Sequence, residues 1–151
     1  MIKTLFLAPL LMAFLPVVAL GQSIGGCDDW RSSAALLAEP WEENTRTFAN
    51  GEVRLAVIDT YEPAAAAFHL MILSPPYDEI GFGQCVLVSG PDGSGLAGLG
   101  LAEAVAAYDP ATGLTFRIPS QRWMIETDTY LPATLIVTLN QATGAVTARL
   151  D

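Results

Sequence analysis

The chain has 151 residues, 52% of them hydrophobic, and a formal net charge of −9 at pH 7. This length can supply the core of one domain without a metal or a dense disulfide network. Seven basic residues stand against sixteen acidic ones, which excludes nucleic acid as a partner, because binding it requires basic side chains that displace phosphate counterions.

The first 21 residues have the three parts of a secretory signal peptide. Lys3 precedes an apolar run from Leu5 to Leu20, and Ala19-Leu20-Gly21 offers the small residues that signal peptidase needs. The run is shorter than the roughly 20 residues of a spanning helix. We therefore predict a signal peptide over 1–21 and a single exported domain over 22–151, periplasmic or secreted, with no stable membrane span after cleavage.

The two cysteines of the chain, Cys27 and Cys85, are predicted to form a disulfide. An even pair in an oxidising compartment most often bonds, and this bond would tie the N-terminal segment to a mid-chain strand. Ile24-Gly25-Gly26-Cys27 also resembles a lipoprotein processing site, so lipid anchoring at Cys27 is an alternative. Against it, a lipobox normally closes the apolar run, and here six residues intervene.

Residues after the leader favour a short helix and then a hairpin. The pair Asp28-Asp29 suits the N-terminal end of a helix over 30–38, which must stop before Pro40. Further on, Asn50-Gly51 lies between two runs typical of strands. This dipeptide predicts a hairpin turn, because both residues accept positive φ.

The middle of the chain predicts two more strands. Residues 64–74 are apolar at both odd and even positions, which indicates a central strand covered on both sides. Residues 75–79 are expected to form a loop, and residues 82–89 to form the strand that carries Cys85. The glycine-rich stretch over 90–100 is expected to be irregular.

The last third predicts two hairpins of the same type, in which Asp or Asn opens the turn and Gly closes it. They pair 102–108 with 114–119, and 133–140 with 145–150. A helix is an alternative for 101–108, whose alanines suit it. About eight short strands make the fold mainly β, an antiparallel sandwich or a small barrel with one short N-terminal helix.

No residue pattern in the chain assembles a catalytic site, a metal site or a cofactor site. The stretch Gly93–Gly98 has the letters of a dinucleotide-binding loop, but no βαβ unit surrounds it, so we interpret it as a flexible loop. His69 lies in the most apolar strand and is predicted to be buried and hydrogen-bonded. The acidic residues are interpreted as surface charge.

Aromatic residues near turns are the remaining candidates, since a rigid ring with a polar tip binds with little entropy loss. Tyr77 and Trp123 are the predicted binding residues, whereas Trp30 and Trp41 are assigned to the core. The sequence thus favours a non-catalytic binding or interaction domain for a protein or small-molecule partner. A small hydrolase using surface carboxylates and a small barrel holding an apolar ligand are the alternatives.

Overall fold

The computed structural model describes residues 21–151, so the predicted signal peptide lies outside the described residues except for Gly21. The strands are β1 (Ser23–Gly26), β2 (Thr45–Phe48), β3 (Val53–Asp59), β4 (Phe68–Tyr77), β5 (Gly83–Ser89), β6 (Gly98–Leu99), β7 (Val105–Asp109), β8 (Gly113–Met124), β9 (Thr129–Leu139) and β10 (Val146–Leu150). One α-helical turn, α1, spans Trp41–Asn44, and 3₁₀ turns span Trp30–Ser32, Ala34–Leu36, Ala49–Gly51 and Leu101–Glu103. None of the helices in this part of the chain combines the length and the apolarity needed to cross a bilayer.

The strands form two antiparallel sheets that pack face to face as a β-sandwich. Sheet A has the order β1-β5-β4-β3-β2. Sheet B has the order β10-β9-β8-β6, and β7 pairs with β8 on the same side as β6. The prediction of a mainly β, antiparallel fold is confirmed, and of its two architectures the sandwich is the one found.

Alternate side chains of both sheets point inward and form the core. Phe116 and Ile118 of β8 meet Leu70 and Ile72 of β4 in one buried cluster, in which all four are fully buried. At the β2 edge, the Phe48 ring packs edge-on against Phe116 with 4.9 Å between ring centroids. Burial of these apolar surfaces contributes most of the free energy that holds the two sheets together.

The outer face of sheet A is covered in turn by the N-terminal segment, residues 27–40. The predicted disulfide anchors its start, with 5.5 Å between the Cα atoms of Cys27 and Cys85. At its end, the Ala38 N–H donates to the Val57 carbonyl at 2.9 Å. Side chains on this outer face are buried, among them Ile58 and His69 at 2% exposure or less. This second layer confirms the predicted cover on the outer face of β4 around His69, whereas Met71 and Leu73, further along the same face, stay partly exposed.

The N-terminal segment differs from the sequence prediction in two respects. It forms two 3₁₀ turns rather than one helix over 30–38, and the Asp29 side chain caps the first by accepting from the Arg31 N–H. The assignment of Trp30 and Trp41 to the core is wrong, since they are 66% and 57% exposed. The N-terminal segment has no further layer above it, so the ring of Trp30 faces solvent, and Trp41 is exposed at the start of α1.

All three predicted hairpins are present. Phe48 pairs with Val53 across a loop in which Asn50 and Gly51 have φ of 56° and 90°, as the turn prediction required. The β7–β8 and β9–β10 hairpins also follow the predicted pairing. For residues 105–109 the strand prediction is therefore confirmed, with a 3₁₀ turn just before them.

Two regions carry more strand than expected. Strand β4 continues through the predicted loop to Tyr77, because a register shift between Ser74 and Tyr77 accommodates two prolines that cannot donate to the ladder. Strand β8 continues past its predicted end at residue 119 to Met124, and β9 begins at Thr129 rather than at residue 133. The two strands pair with each other in a long hairpin that the sequence analysis did not predict. The added strands β1 and β6 are short.

Candidate functional site

The two predicted binding residues, Tyr77 and Trp123, lie at opposite ends of the sandwich. Gln84, at the start of β5, donates from Nε2 to the Gly144 carbonyl at 3.0 Å, which places the β4–β5 loop beside the β9–β10 turn. Leu114 of β8 pairs with Leu139 near that same turn, so the far end of β8, with Trp123, points away from it. The structure therefore gives two separate surfaces rather than one site.

The β4–β5 loop, residues 77–82, displays three large apolar side chains. Tyr77 is 53% exposed, Phe82 is 68% exposed and Ile80 is 79% exposed. Single exposed apolar residues are ordinary, whereas a cluster of this kind on one loop is typical of an interaction surface. We refer to these six residues as the 77–82 loop.

Asp78 fixes the shape of the 77–82 loop. Its Oδ1 accepts hydrogen bonds from the N–H groups of Ile80 at 3.0 Å and Phe82 at 2.8 Å. Its own N–H donates to the Phe82 carbonyl at 2.8 Å, and its carbonyl accepts from Gly81 at 3.1 Å. Gly81 has φ of 92°, which favours glycine there. The apolar side chains are thus presented on a preorganised backbone.

Trp123 is half-buried at the opposite end. Its ring packs on Tyr130 of β9 with 4.8 Å between centroids at an interplanar angle of 51°. It also borders a groove of about 340 Å³, together with Arg122 and Leu150. Gln22 lines the same groove, and its Oε1 is buried without a hydrogen-bond partner in the structure. Trp123 therefore both packs against Tyr130 and lines a concave surface.

A buried pair of polar side chains, His69 and Ser89, lies beneath the N-terminal segment. His69 Nδ1 lies 2.8 Å from Ser89 Oγ, which confirms the prediction of a buried, hydrogen-bonded histidine. Burial, as the largest cause, and the nearby Arg31 charge together lower the pKa of His69 to about 4, although the Asp29 charge opposes this shift. Because Ser89 is 3% exposed, this pair has no accessible nucleophile.

Two carboxylates, Asp29 and Glu62, line a pocket of about 350 Å³ next to His69. Asp29 is committed to Arg31, whose NH2 lies 2.7 Å from its Oδ2. That hydrogen bond, more than any other contact, holds the pKa of Asp29 at about 2. A general acid needs a raised pKa instead. Within residues 21–151 no cluster of His, Cys, Asp or Glu could hold a metal ion.

The uncovered part of sheet A forms a second groove, of about 410 Å³, beside the N-terminal segment. Met71 and Leu73 of β4 line it with Ala56, and Arg54 stands at its rim. Its apolar floor continues the surface that the N-terminal segment covers. This groove is an extension of the sheet face rather than an enclosed cavity.

Sequence reasoning found Tyr77 but missed Ile80 and Phe82, which share its loop. The signal was present, since two apolar residues flank Gly81 in a stretch otherwise made of turn residues. Ile125, at the β8–β9 tip and 79% exposed, was missed as well. Comparison of the chain with protein-family models, with curated proteins and with solved structures gave no significant match.

Proposed function

We propose that this chain is a non-catalytic binding domain that docks a partner protein through the 77–82 loop. The observation that carries the proposal is the display of Tyr77, Ile80 and Phe82, each more than half exposed, on a loop that Asp78 holds in shape. Leaving such side chains in water forgoes the free energy of burying them, about 1.5–3 kcal/mol for each. Partner binding recovers that free energy.

A protein partner fits this surface better than a small molecule. The loop projects from the end of the sandwich, whereas small-molecule sites are concave. Aromatic side chains dominate the binding energy of protein interfaces, and a preorganised loop loses little conformational entropy on docking. The 77–82 loop supplies both properties.

Charge defines the chemistry of the partner surface. The loops at this end include Glu52, Glu79 and Asp109, and none of the residues 49–52, 78–82, 109–113 or 140–145 is basic. An apolar cluster within an acidic surround is complementary to an apolar pocket with basic residues at its rim. We therefore propose a partner of that kind.

We further propose that the domain works outside the cytoplasm. The Cys27–Cys85 disulfide supports this, because disulfides persist in oxidising compartments, as does the leader pattern over 1–21. N-terminal sequencing of the exported protein tests it, with Gln22 or Ile24 expected as the first residue. A diacylglycerol-modified Cys27 would instead show a lipoprotein.

The docking proposal is tested by comparing partner capture between matched variants. Immobilised wild type, the double variant Ile80→Ser/Phe82→Ser and the control Ile125→Ser are exposed to the exported proteins of the organism that makes the chain. Ile80 and Ile125 are each 79% exposed but lie at opposite ends. We expect at least one protein that the wild type and the control retain and the double variant loses.

The captured protein is then purified and titrated against all three forms. Loss of two hot-spot side chains should raise the dissociation constant about 1000-fold, since each contributes about 2 kcal/mol or more. Equal affinity of the double variant and the wild type would refute docking through this loop. Equal loss in the control would point to a surface elsewhere.

Trp123 remains a proposed binding residue of its own groove. The supporting observation is the concave surface that Trp123 lines together with Arg122 and Gln22. The side-chain oxygen of Gln22 has no hydrogen-bond partner in the structure. Because this groove lies at the other end of the sandwich, binding there is separable from docking at the 77–82 loop.

A further inference from the structure

Strand β7 is an edge of sheet B that the rest of the described chain leaves open. All five of its residues are exposed, with Val105 at 60% and Tyr108 at 67%. It pairs with β8 on one side, and within residues 21–151 no strand pairs with its other side. An edge of this kind presents unpaired N–H and C=O groups that can template another strand.

Three other edges of the sandwich, at β1, β10 and β2, are bridged to other parts of the domain by hydrogen bonds. On one side of the sandwich the N–H of Gln22, just before β1, donates to the Ala148 carbonyl of β10 at 3.2 Å. This bond joins the β1 edge of sheet A to the β10 edge of sheet B. On the opposite side of the sandwich, the guanidinium of Arg46 in β2 donates to the carbonyls of Leu101, Ala102 and Ala104. That contact ends at Ala104, and β7 begins at the next residue.

Strand β7 carries little of the protection by which proteins blunt an edge, since its one charged residue, Asp109, is its last. Its sequence, Val-Ala-Ala-Tyr-Asp, contains no Lys, Arg or Pro. Its register with β8 runs without a bulge from Val105–Arg117 to Asp109–Gly113. Natural edges are usually blunted by charge, proline or a bulge, because an unprotected edge associates.

We propose that β7 pairs antiparallel with β7 of a second copy of this chain, about a two-fold axis through Ala107. In this register Ala106 lies opposite Tyr108 of the second copy, and Val105 lies opposite its Asp109. Large side chains thus face small ones, and the one charge of the strand faces valine rather than its own equivalent. Like charges directly opposite each other destabilise a sheet, and this register avoids that arrangement.

The neighbouring two-fold registers are disfavoured. An axis through Ala106 would bring Ala104 into the pairing, although Ala104 is 3% exposed and its carbonyl accepts from Arg46. An axis through Tyr108 would bring in Pro110, which has no N–H to donate. The axis through Ala107 is the one that uses all five residues of β7.

The resulting dimer is closed and weak. The same patch is used on both copies, so association stops at two. Five paired residues a side is far below the ~20–30 residues a side of a stable interface. We therefore expect a reversible dimer with a dissociation constant between about 10 μM and 1 mM. This inference uses a surface separate from the 77–82 loop and is independent of the docking proposal.

Introducing a charge at Ala107, on the two-fold axis, tests the dimer. The oxidised chain without its leader is studied by sedimentation equilibrium from about 1 μM to 1 mM, as wild type, Ala107→Lys and Ala107→Glu. In each variant two like charges face across the axis, so dimerisation should weaken about tenfold or more. In an equimolar mixture of the two variants opposite charges face, and the dimer should return.

Ala111→Lys is the matched control for Ala107→Lys, since Ala111 is exposed in the turn that follows β7 and the two variants make the same change in net charge. It should dimerise as the wild type does, and the thermal midpoints of all forms should agree. A wild type that stays monomeric at about 1 mM would overturn the proposal. So would dimerisation unaffected by both Ala107 substitutions, a mixture that fails to restore the dimer, or growth beyond two copies.

Discussion

His69 on β4 and Ser89 on β5 are joined by a hydrogen bond of 2.8 Å beneath the N-terminal segment. Both side chains are at most 3% exposed, so the histidine is held neutral in the folded protein. Burial lowers the pKa of His69 to about 4, whereas the histidine of an unfolded chain titrates near 6.5. Between these two values the unfolded chain binds more protons than the folded one.

Stability should therefore fall as the pH falls from about 6.5 to about 4. The difference between the two pKa values of His69 corresponds to a loss of about 3 kcal/mol in the free energy of unfolding over this window. Urea unfolding at several pH values measures it, and His69→Gln should flatten the slope because glutamine does not titrate. The Asp29 carboxyl, with its pKa at about 2, loses its stabilising contribution only at pH values below this window. Equal slopes in the variant and the wild type would contradict the assignment.

Loss of the disulfide should destabilise the protein substantially. Cys27 and Cys85 are 58 residues apart, and closing a loop of that length removes about 4 kcal/mol of chain entropy from the unfolded state. We expect Cys27→Ser/Cys85→Ser to lower the free energy of unfolding by about 2–4 kcal/mol. Wild type under a strong reductant should show the same loss. A variant as stable as the oxidised wild type would refute this.

The contact between the sheets at Phe116 should be far more costly to remove than the exposed tryptophans. Phe116 is fully buried and packs against Phe48, so Phe116→Ala should cost about 3–5 kcal/mol by guanidinium unfolding. Trp41→Ala, at 57% exposure, should change stability by about 0.5 kcal/mol or less. Similar losses in the two variants would show that Trp41 is buried after all.

Trp123 and Tyr130 should show a measurable coupling. Their ring centroids are 4.8 Å apart, and such aromatic pairs contribute about 0.5–1.5 kcal/mol beyond the burial of their area. A double-mutant cycle of Trp123→Ala and Tyr130→Ala isolates this coupling in the free energy of unfolding. Strict additivity of the two substitutions would mean that the rings pack independently.

Much of the fold was predictable because local and nearest-neighbour signals carry it. The dipeptide Asn50-Gly51 accepts the positive φ that its turn needs. The apolar residues at odd and even positions of β4 predicted a cover on each face, and on the outer face the N-terminal segment supplies it around His69. The pairing of Cys27 with Cys85 followed from having two cysteines. Each of these inferences used a constraint that acts without knowledge of distant parts of the chain.

The candidate site was less predictable because exposure depends on the route of the backbone. The residues around Trp30 do not show whether its ring faces the sheet or the solvent, and in the structure it faces the solvent. Likewise Ile80 and Phe82 are held outward by the hydrogen bonds of Asp78, a geometry that hydropathy does not encode. The separation of Tyr77 from Trp123 follows from strand directions across both sheets.

The N-terminal segment has a practical consequence for making this protein. If the disulfide stays reduced, hydrogen bonds such as that of Ala38 to Val57 are left to hold the segment on sheet A. Its detachment would uncover Ile58 and Leu87 next to the partly exposed Met71, and a broad apolar sheet surface aggregates. Expression in a reducing cytoplasm should therefore give inclusion bodies, and oxidative refolding should recover soluble material.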